Sequence, residues 1–115
     1  MPRFVILTHD HPTLHWDFML EMGATLRTWR LPEPPHAGCD LPVEPLPDHR
    51  LMYLDYEGPV SGNRGSVQRW DAGEFEVLDE SSDLLVVRLS GKMLCGSARI
   101  ERGKQSDHTT FRFAQ

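Results

Sequence analysis

The strongest constraint on the fold is an alternation of apolar and polar side chains over residues 14–22, LHWDFMLEM. Neighbouring side chains of a β-strand point to opposite faces of the sheet, so this pattern predicts a two-faced strand. One face carries Leu14, Trp16, Phe18, Leu20 and Met22, and the other carries His15, Asp17, Met19 and Glu21.

Gly23 and Ala24 follow this strand, and a second β-prone run, TLRTWRL, occupies residues 25–31. A two-residue loop that begins with glycine is typical of a type II′ hairpin. The predicted register places Asp17 opposite Arg30 and Met19 opposite Thr28.

The rest of the chain indicates more short strands: residues 2–8, 50–56, 65–70, 74–80, 84–90, 92–101 and 109–113. Turn-forming residues separate them, including 71–73 and 103–108. Residues 32–49 contain six prolines and are predicted to form a long irregular loop. Short strands at regular spacing favour a mainly β fold, a barrel or a sandwich, with residues 1–115 as one domain.

Composition excludes several classes of protein. No apolar run approaches the length of a membrane helix, and the N-terminal run is too short for a signal peptide, so a cytoplasmic location is expected. The net charge of −5 argues against a protein that grips long duplex DNA, and any nucleic-acid contact should be local. Cys39 and Cys95 lack CxxC spacing and are expected to be reduced thiols rather than metal ligands.

Residues 9–21, HDHPTLHWDFMLE, concentrate three histidines, two aspartates and a glutamate. His15 and Asp17 emerge on one strand face about 7 Å apart at the backbone, which lets imidazole and carboxylate converge on one ion. His9 ends the preceding strand and can supply a third ligand. Such a mixed nitrogen and oxygen set suits Mn²⁺, Fe²⁺, Co²⁺ or Zn²⁺.

The polar face also admits other interpretations. If it points into a barrel, the interior is polar, and an ion pair between Asp17 and Arg30 would account for it without catalysis. Glu21 on the same face is a candidate carboxylate for orienting a ligand, and Arg64 is a candidate phosphate contact or a surface residue. The residues expected to be exposed, or to pack on the outer face, are His11, His36, His108, Trp16, Phe18 and Trp29.

Residues 9–21 resemble the signature of the 3′-phosphoesterase domain of bacterial DNA ligase D, a His-Asp pair followed by His, an aromatic residue, Asp and Phe. The likeness extends along the chain. The further matching segments are residues 29–35, Asp48-His49 with Tyr53, Asp55 to Gly58, Trp70 to Gly73, and Leu89 to Gly96.

The resemblance implies a small, closed antiparallel β-barrel with a polar interior and minor helical segments. It also implies a Mn²⁺-dependent enzyme, with Zn²⁺ or Co²⁺ as other metals, that heals nucleic-acid 3′ ends in DNA repair alongside end-joining proteins. Carried over by position, His9, His15 and Asp17 would hold the metal, His49 would contact the scissile phosphate, and Tyr53 would lie near it.

The departures from the family pattern concern the phosphate-binding cations. The family has Arg where this chain has Met19, and Lys where it has Glu33. Arg clamps phosphate through two parallel hydrogen bonds, which Met cannot form. The predicted hairpin places Arg30 diagonally from Met19, so Arg30 is a candidate replacement. The family's N-terminal extension, polymerase and ligase segments have no counterpart in these residues, so a stand-alone module is expected.

Three functions remain open at this point. The first is an active phosphoesterase, and the second is a non-catalytic metal-holding module that binds DNA ends or a repair partner. The third is a different chemistry on the same fold, because fold alone does not determine function.

Overall fold

The computed structural model describes residues 1–103 and 108–115. In these ranges the elements are β1 (Arg3–His9), β2 (His15–Met22), β3 (Thr25–Leu31), β4 (Asp40–Arg50), a 3-10 helix (Leu51–Leu54), β5 (Gly58–Pro59), β6 (Ser66–Glu80), β7 (Leu84–Gly91), β8 (Cys95–Arg102) and β9 (Thr109–Ala114). Residues 104–107 of the loop predicted at 103–108 lie outside the described part. The mainly β prediction is confirmed, and no helix in these ranges is long and apolar enough to cross a membrane.

The strands pair side by side in the order β1-β2-β3-β4-β9-β8-β7-β6. β1 also pairs antiparallel with β6, so the pairings run round a ring, and the short β5 adds to β6. The β2–β3 register is the predicted one, with Asp17 opposite Arg30 and Met19 opposite Thr28. Gly23 has a φ of 66°, the positive value that the first loop position of a type II′ turn requires.

The inside of the ring is apolar, so the predicted polar interior is wrong. Strands from all round the ring contribute to one cluster, and the rings of Phe18 on β2 and Phe111 on β9 lie 5.3 Å apart although β3 and β4 separate those strands. Phe18 and Trp29 are therefore interior residues, not outer packing. Periodicity identifies two faces of a strand, and here the more apolar face is the one turned inward.

The opposite face of β1, β2 and β3 is covered by the segment that follows β4. A second cluster joins Leu7, Met19 and Leu26 on the strands to Leu54 of the 3-10 helix. Partly buried residues of the covering segment pack against it, namely Leu51, Tyr53, Tyr56 and Val60. The face that carries His15 and Asp17 thus lies outside the ring and beneath residues 51–65.

The predicted irregular loop at residues 32–49 is wrong in its second half, because β4 spans Asp40–Arg50 with three of the six prolines. β4 pairs with β9 over residues 40–43 and with β3 over residues 44–50. Each half therefore has a single partner, which is the edge-like setting that tolerates proline. The predicted strand at 50–56 is also wrong, since residues 51–54 form the 3-10 helix.

The predicted turn at residues 71–73 is absent from the described structure, because β6 runs unbroken from Ser66 to Glu80. The register with β1 shifts between Ile6 and Leu7, which leaves Trp70 without a partner and bends the strand. Gly73 allows β6 to approach β7, since a Cβ there would lie 2.0 Å from the Ser90 carbonyl oxygen.

Candidate metal centre

Two strand ends bring the predicted ligands together. His9, the last residue of β1, pairs in register with His15, the first residue of β2, and their rings lie 4.9 Å apart. Asp17 follows two residues later on the same face of β2. Its carboxylate oxygens lie 3.2 Å from His15 Nε2 and 3.7 Å from His9 Nδ1.

Backbone carbonyls orient both imidazoles. His15 Nδ1–H donates to the Thr13 carbonyl oxygen at 2.9 Å, and His9 Nε2–H donates to the Arg64 carbonyl oxygen at 2.8 Å. The remaining nitrogens, His15 Nε2 and His9 Nδ1, face Asp17 and would carry the lone pairs of the neutral imidazoles. A hydrogen bond that fixes the tautomer in this way is typical of histidines that bind metals.

The donor set fits a divalent metal. His15 and Asp17 are 4% and 3% exposed, and their atoms His15 Nε2 and Asp17 Oδ1 have no hydrogen-bond partner among the described residues. One ligand atom from each of His9, His15 and Asp17 lies within 4.8 Å of the other two. Two imidazole nitrogens and one carboxylate oxygen suit Mn²⁺, Co²⁺ or Zn²⁺ and leave positions for water and substrate.

A pocket of about 110 Å³ opens beside the three ligands. Its lining consists of Leu7, His9, Asp17, Met19, His49, Tyr53, Val60, Arg64 and Val67. Three candidates from separate parts of the sequence, His49, Tyr53 and Arg64, thus share one pocket with His9 and Asp17.

The end of β4 and the start of the covering segment position His49 and Tyr53. His49 lies near the end of β4, and its Nδ1–H donates to the Pro47 carbonyl oxygen at 2.9 Å, which leaves Nε2 for another partner. Tyr53 belongs to the 3-10 helix, and its ring meets His49 edge-on at 5.9 Å. Both residues line the same pocket.

Arg64 also lines the pocket. Its guanidinium donates hydrogen bonds to the carbonyl and hydroxyl oxygens of Ser61. Arg30 lies opposite Asp17 in the sheet but does not line the pocket, and its buried Nε has no partner among the described residues. It also forms no ion pair with Asp17 within those residues, although the sequence left that pairing open.

The predicted ligand-orienting role of Glu21 is wrong. Its Oε1 accepts a hydrogen bond from the Arg3 backbone N–H at 2.9 Å, at the opposite end of the β1–β2 pair. Four residues separate Glu21 from Asp17, about 13 Å along a strand. His11 is exposed, as predicted.

Asp10 is a residue of this site that sequence reasoning missed. Its Oδ1 accepts a hydrogen bond from the Ser66 backbone N–H at 2.8 Å, and this bond holds the pKa of Asp10 below its usual value. A Cβ at Gly65 would lie 2.2 Å from the same oxygen, so glycine is needed there. Asp10 thereby fixes the turn whose Arg64 carbonyl orients His9. In the sequence, the His-Asp dipeptide at residues 9 and 10 was the feature that could have indicated this role.

Comparison with known proteins agrees with this geometry. Residues 7–113 match the family described as the DNA Ligase D 3'-phosphoesterase domain. The multifunctional non-homologous end joining protein LigD of Pseudomonas aeruginosa is 34% identical over 119 residues, which cover 90% of this chain and 14% of that protein. The proteins named LigD from Mycobacterium bovis and Mycobacterium tuberculosis are 28% identical over 81% of this chain and 13% of their own length.

The match spans nearly the whole described fold and contains His9, His15, Asp17, His49 and Tyr53. The chain corresponds to only about one seventh of the length of the Pseudomonas relative. The chain belongs to the DNA ligase D 3′-phosphoesterase domain family.

Proposed function

We propose that this protein is a Mn²⁺-dependent phosphoesterase that acts on the 3′ ends of nucleic acids in DNA repair. The observation that carries the proposal is the pocket in which His9 and Asp17 of the donor set meet His49, Tyr53 and Arg64, with His15 beside Asp17. Family membership supports the reaction class, and the pocket supplies groups suited to a phosphate ester.

His9, His15 and Asp17 would hold the metal. A divalent ion there supplies neutralisation of phosphate charge and a bound water acidic enough to act as a nucleophile. The protein contributes the orientation of the ligands, because two backbone carbonyls hold the imidazole rings before any ion arrives.

The remaining pocket residues act on the phosphate. His49 Nε2, when protonated, can donate to a nonbridging oxygen as negative charge develops or to the leaving oxygen. The Tyr53 hydroxyl can donate a second hydrogen bond. Arg64 supplies the fixed positive charge, a role for which the sequence offered both Arg64 and Arg30 as candidates.

A small pocket and a net charge of −5 favour a strand end over a long duplex as the substrate. A 3′ end offers one terminal phosphate or ribonucleotide that fits a local site. End-joining repair proteins are the corresponding partners in this proposal, since the relatives carry that description.

Met19 favours a second candidate function, a metal-holding module that binds 3′ ends without cleaving them. Met19 is 1% exposed, lines the pocket and packs in the apolar cluster beneath the covering segment. An apolar thioether at this place offers no charge to a phosphate. The two candidates share the metal and differ only in turnover.

The test uses primers ending in a 3′-ribonucleotide or a 3′-phosphate, incubated with Mn²⁺, Co²⁺ or Zn²⁺. Wild type should cleave both, and His15→Ala should lose both cleavage and the metal-induced rise in Tm. His49→Ala should keep that rise while losing about 100-fold or more in rate. His108→Ala, which changes an exposed histidine outside the pocket, is the control.

A rise in Tm with no cleavage under any metal would establish the non-catalytic module instead. Absence of both the rise in Tm and cleavage would overturn both functions.

A pair of variants identifies which arginine contacts the phosphate. Arg64→Ala should lower cleavage more than Arg30→Ala does, with the metal-induced rise intact in both, because the Arg64 carbonyl that orients His9 survives the change. The reverse order would assign the phosphate contact to Arg30.

A further inference from the structure

A second group of metal-binding side chains lies in the loop between β3 and β4. Glu33, His36 and Cys39 are spaced three residues apart, and one donor atom from each lies within 4.8 Å of the other two. His36 Nε2 is 3.1 Å from Glu33 Oε1. This loop leaves the sheet at Leu31, which pairs with Trp16 next to His15, so it starts at the same end of the ring as the first centre.

The loop that carries these residues is held in place. Ala37 forms a bridge to Phe113 of β9, and the Gly38 N–H donates to the Phe113 carbonyl oxygen at 3.0 Å. Gly38 has a φ of 79°, a conformation that glycine adopts without strain. Prolines at 32, 34 and 35 restrict the backbone before His36. The three side chains are therefore brought together by the fold.

The charges of the loop favour a cation. Glu33 and a deprotonated Cys39 would together contribute two negative charges, and His36, whose Nε2 lies 3.1 Å from Glu33 Oε1, would contribute a nitrogen ligand in its neutral form. Arg112, a basic residue near the loop's end, is 2.9 Å from Asp40 and is engaged there. A divalent ion would neutralise the carboxylate and thiolate.

We propose that Glu33, His36 and Cys39 form a second metal site that takes Zn²⁺ or a cation of similar softness. Thiolate, imidazole and carboxylate are the ligands of zinc, at about 2.0–2.3 Å, which puts tetrahedral donors about 3.3–3.8 Å apart. The observed spacing needs only small side-chain rotations to reach that geometry. Glu33 and His36 are exposed, so the fourth position is open to water or to a partner's ligand.

The chemistry of the site differs from that of the first centre, which contains no sulfur. That difference gives a direct measurement, because Co²⁺ bound to a thiolate produces an intense near-ultraviolet charge-transfer band and Co²⁺ bound by histidine and carboxylate does not. Titration of the full chain with Co²⁺, in a reductant that is not itself a thiol, should produce this band and two bound ions per chain.

Cys39→Ser should abolish the band and reduce the stoichiometry to one ion. Cys95→Ser, which removes the exposed thiol of β8, is the matched control and should retain the band. His15→Ala should also retain it, so the second site can be judged even if the proposed phosphoesterase function fails. Zn²⁺ added last should displace Co²⁺ and bleach the band.

Alkylation of the wild type gives an independent readout. Zn²⁺ should protect Cys39 from iodoacetamide and leave Cys95 reactive, as measured by mass spectrometry of the two peptides. Glu33→Gln and His36→Ala should each weaken that protection at least tenfold in Zn²⁺ concentration. A charge-transfer band that persists in Cys39→Ser, or equal reactivity of both thiols in the presence of Zn²⁺, would overturn the proposal.

Discussion

Asp17 supplies the buried carboxylate of the candidate metal centre. Its carboxylate is 3% exposed, lies between two imidazoles, and has one oxygen with no hydrogen-bond partner among the described residues. A buried carboxylate without full compensation destabilises a fold. In the function proposed above, a divalent cation would compensate this charge, because two neutral imidazoles and a carboxylate suit such an ion.

Asp17→Asn tests this conflict between stability and binding. The amide keeps the shape of the side chain and removes the buried charge, so the metal-free variant should unfold at the same temperature as wild type or a few degrees higher. The rise in Tm on adding Mn²⁺ should disappear. Differential scanning fluorimetry after treatment with a chelator, and again with Mn²⁺, measures both.

Asp79→Asn changes an exposed carboxylate on β6 and should alter neither quantity. A metal-free Asp17→Asn protein that loses more than about 1 kcal/mol would mean that the carboxylate has a structural partner instead.

At the scale of elements, Asp71 joins β6 to the turn between β7 and β8. Its buried carboxylate accepts hydrogen bonds from the backbone N–H groups of Lys92, Met93 and Leu94 at 2.9–3.1 Å, and from Ala72. One side chain therefore satisfies three backbone N–H groups of this turn.

Asp71→Ala should leave these donors buried or poorly solvated and lower the free energy of unfolding by about 3 kcal/mol or more. Urea unfolding followed by circular dichroism measures the loss. Asp79→Ala, on the same strand but exposed, should stay within about 0.5 kcal/mol of wild type. Equal stability of the two variants would contradict a structural role for Asp71.

The covering segment has its own tie to the ring, an ion pair between Arg3 on β1 and Asp55 after the 3-10 helix, at 2.6 Å. The hydrogen bond from Arg3 lowers the pKa of Asp55 below its usual value of 3.8. Because the pKa is lower in the folded state, the stabilisation is complete above about pH 4 and is lost as pH falls through the folded-state pKa.

Asp55→Asn should therefore show a flatter fall in stability on acidification below about pH 4 than wild type does. Both partners are exposed, so the difference should be small and should shrink in high salt. Thermal unfolding across a pH series at two salt concentrations measures it. If the stability of wild type and of Asp55→Asn falls equally as the pH is lowered, the ion pair does not form in solution.

Much of this geometry was predictable from local pattern. The β2–β3 register follows from alternation and a glycine-first loop. The clustering of His9, His15 and Asp17 follows from the two-residue spacing on β2 and from the pairing of β1 with β2. The face turned inward was not predictable, because alternation separates two faces without saying which one is covered by residues 51–65. β4 was missed because proline content was weighed without knowing that each half of the strand has one partner.

For the whole molecule, net charge and pocket size together limit how nucleic acid would bind in the proposed function. A net charge of −5 disfavours contact with a long run of phosphates, and a pocket of about 110 Å³ favours one terminal group. Binding that depends on a bound metal and one or two phosphates releases few counterions.

The expected salt dependence is therefore shallow. Affinity for a 3′-phosphate single strand, measured by fluorescence anisotropy with Mn²⁺ present, should fall with a slope of about −1 to −2 in log affinity against log salt. The same strand with a 3′-hydroxyl end is the control and should bind more weakly. A slope steeper than about −5 would indicate a long electrostatic track along the strand.

The apolar ring interior has a consequence for how this protein can change over generations. The interior cluster supports the fold, whereas the metal ligands and pocket lie on the outer face beneath residues 51–65. Substitutions on that face can alter the chemistry of the pocket while the packing of the interior cluster stays the same. Met19, where the resembled family pattern has Arg, lies on that face, so a substitution there can change the chemistry of the pocket while the interior cluster stays intact.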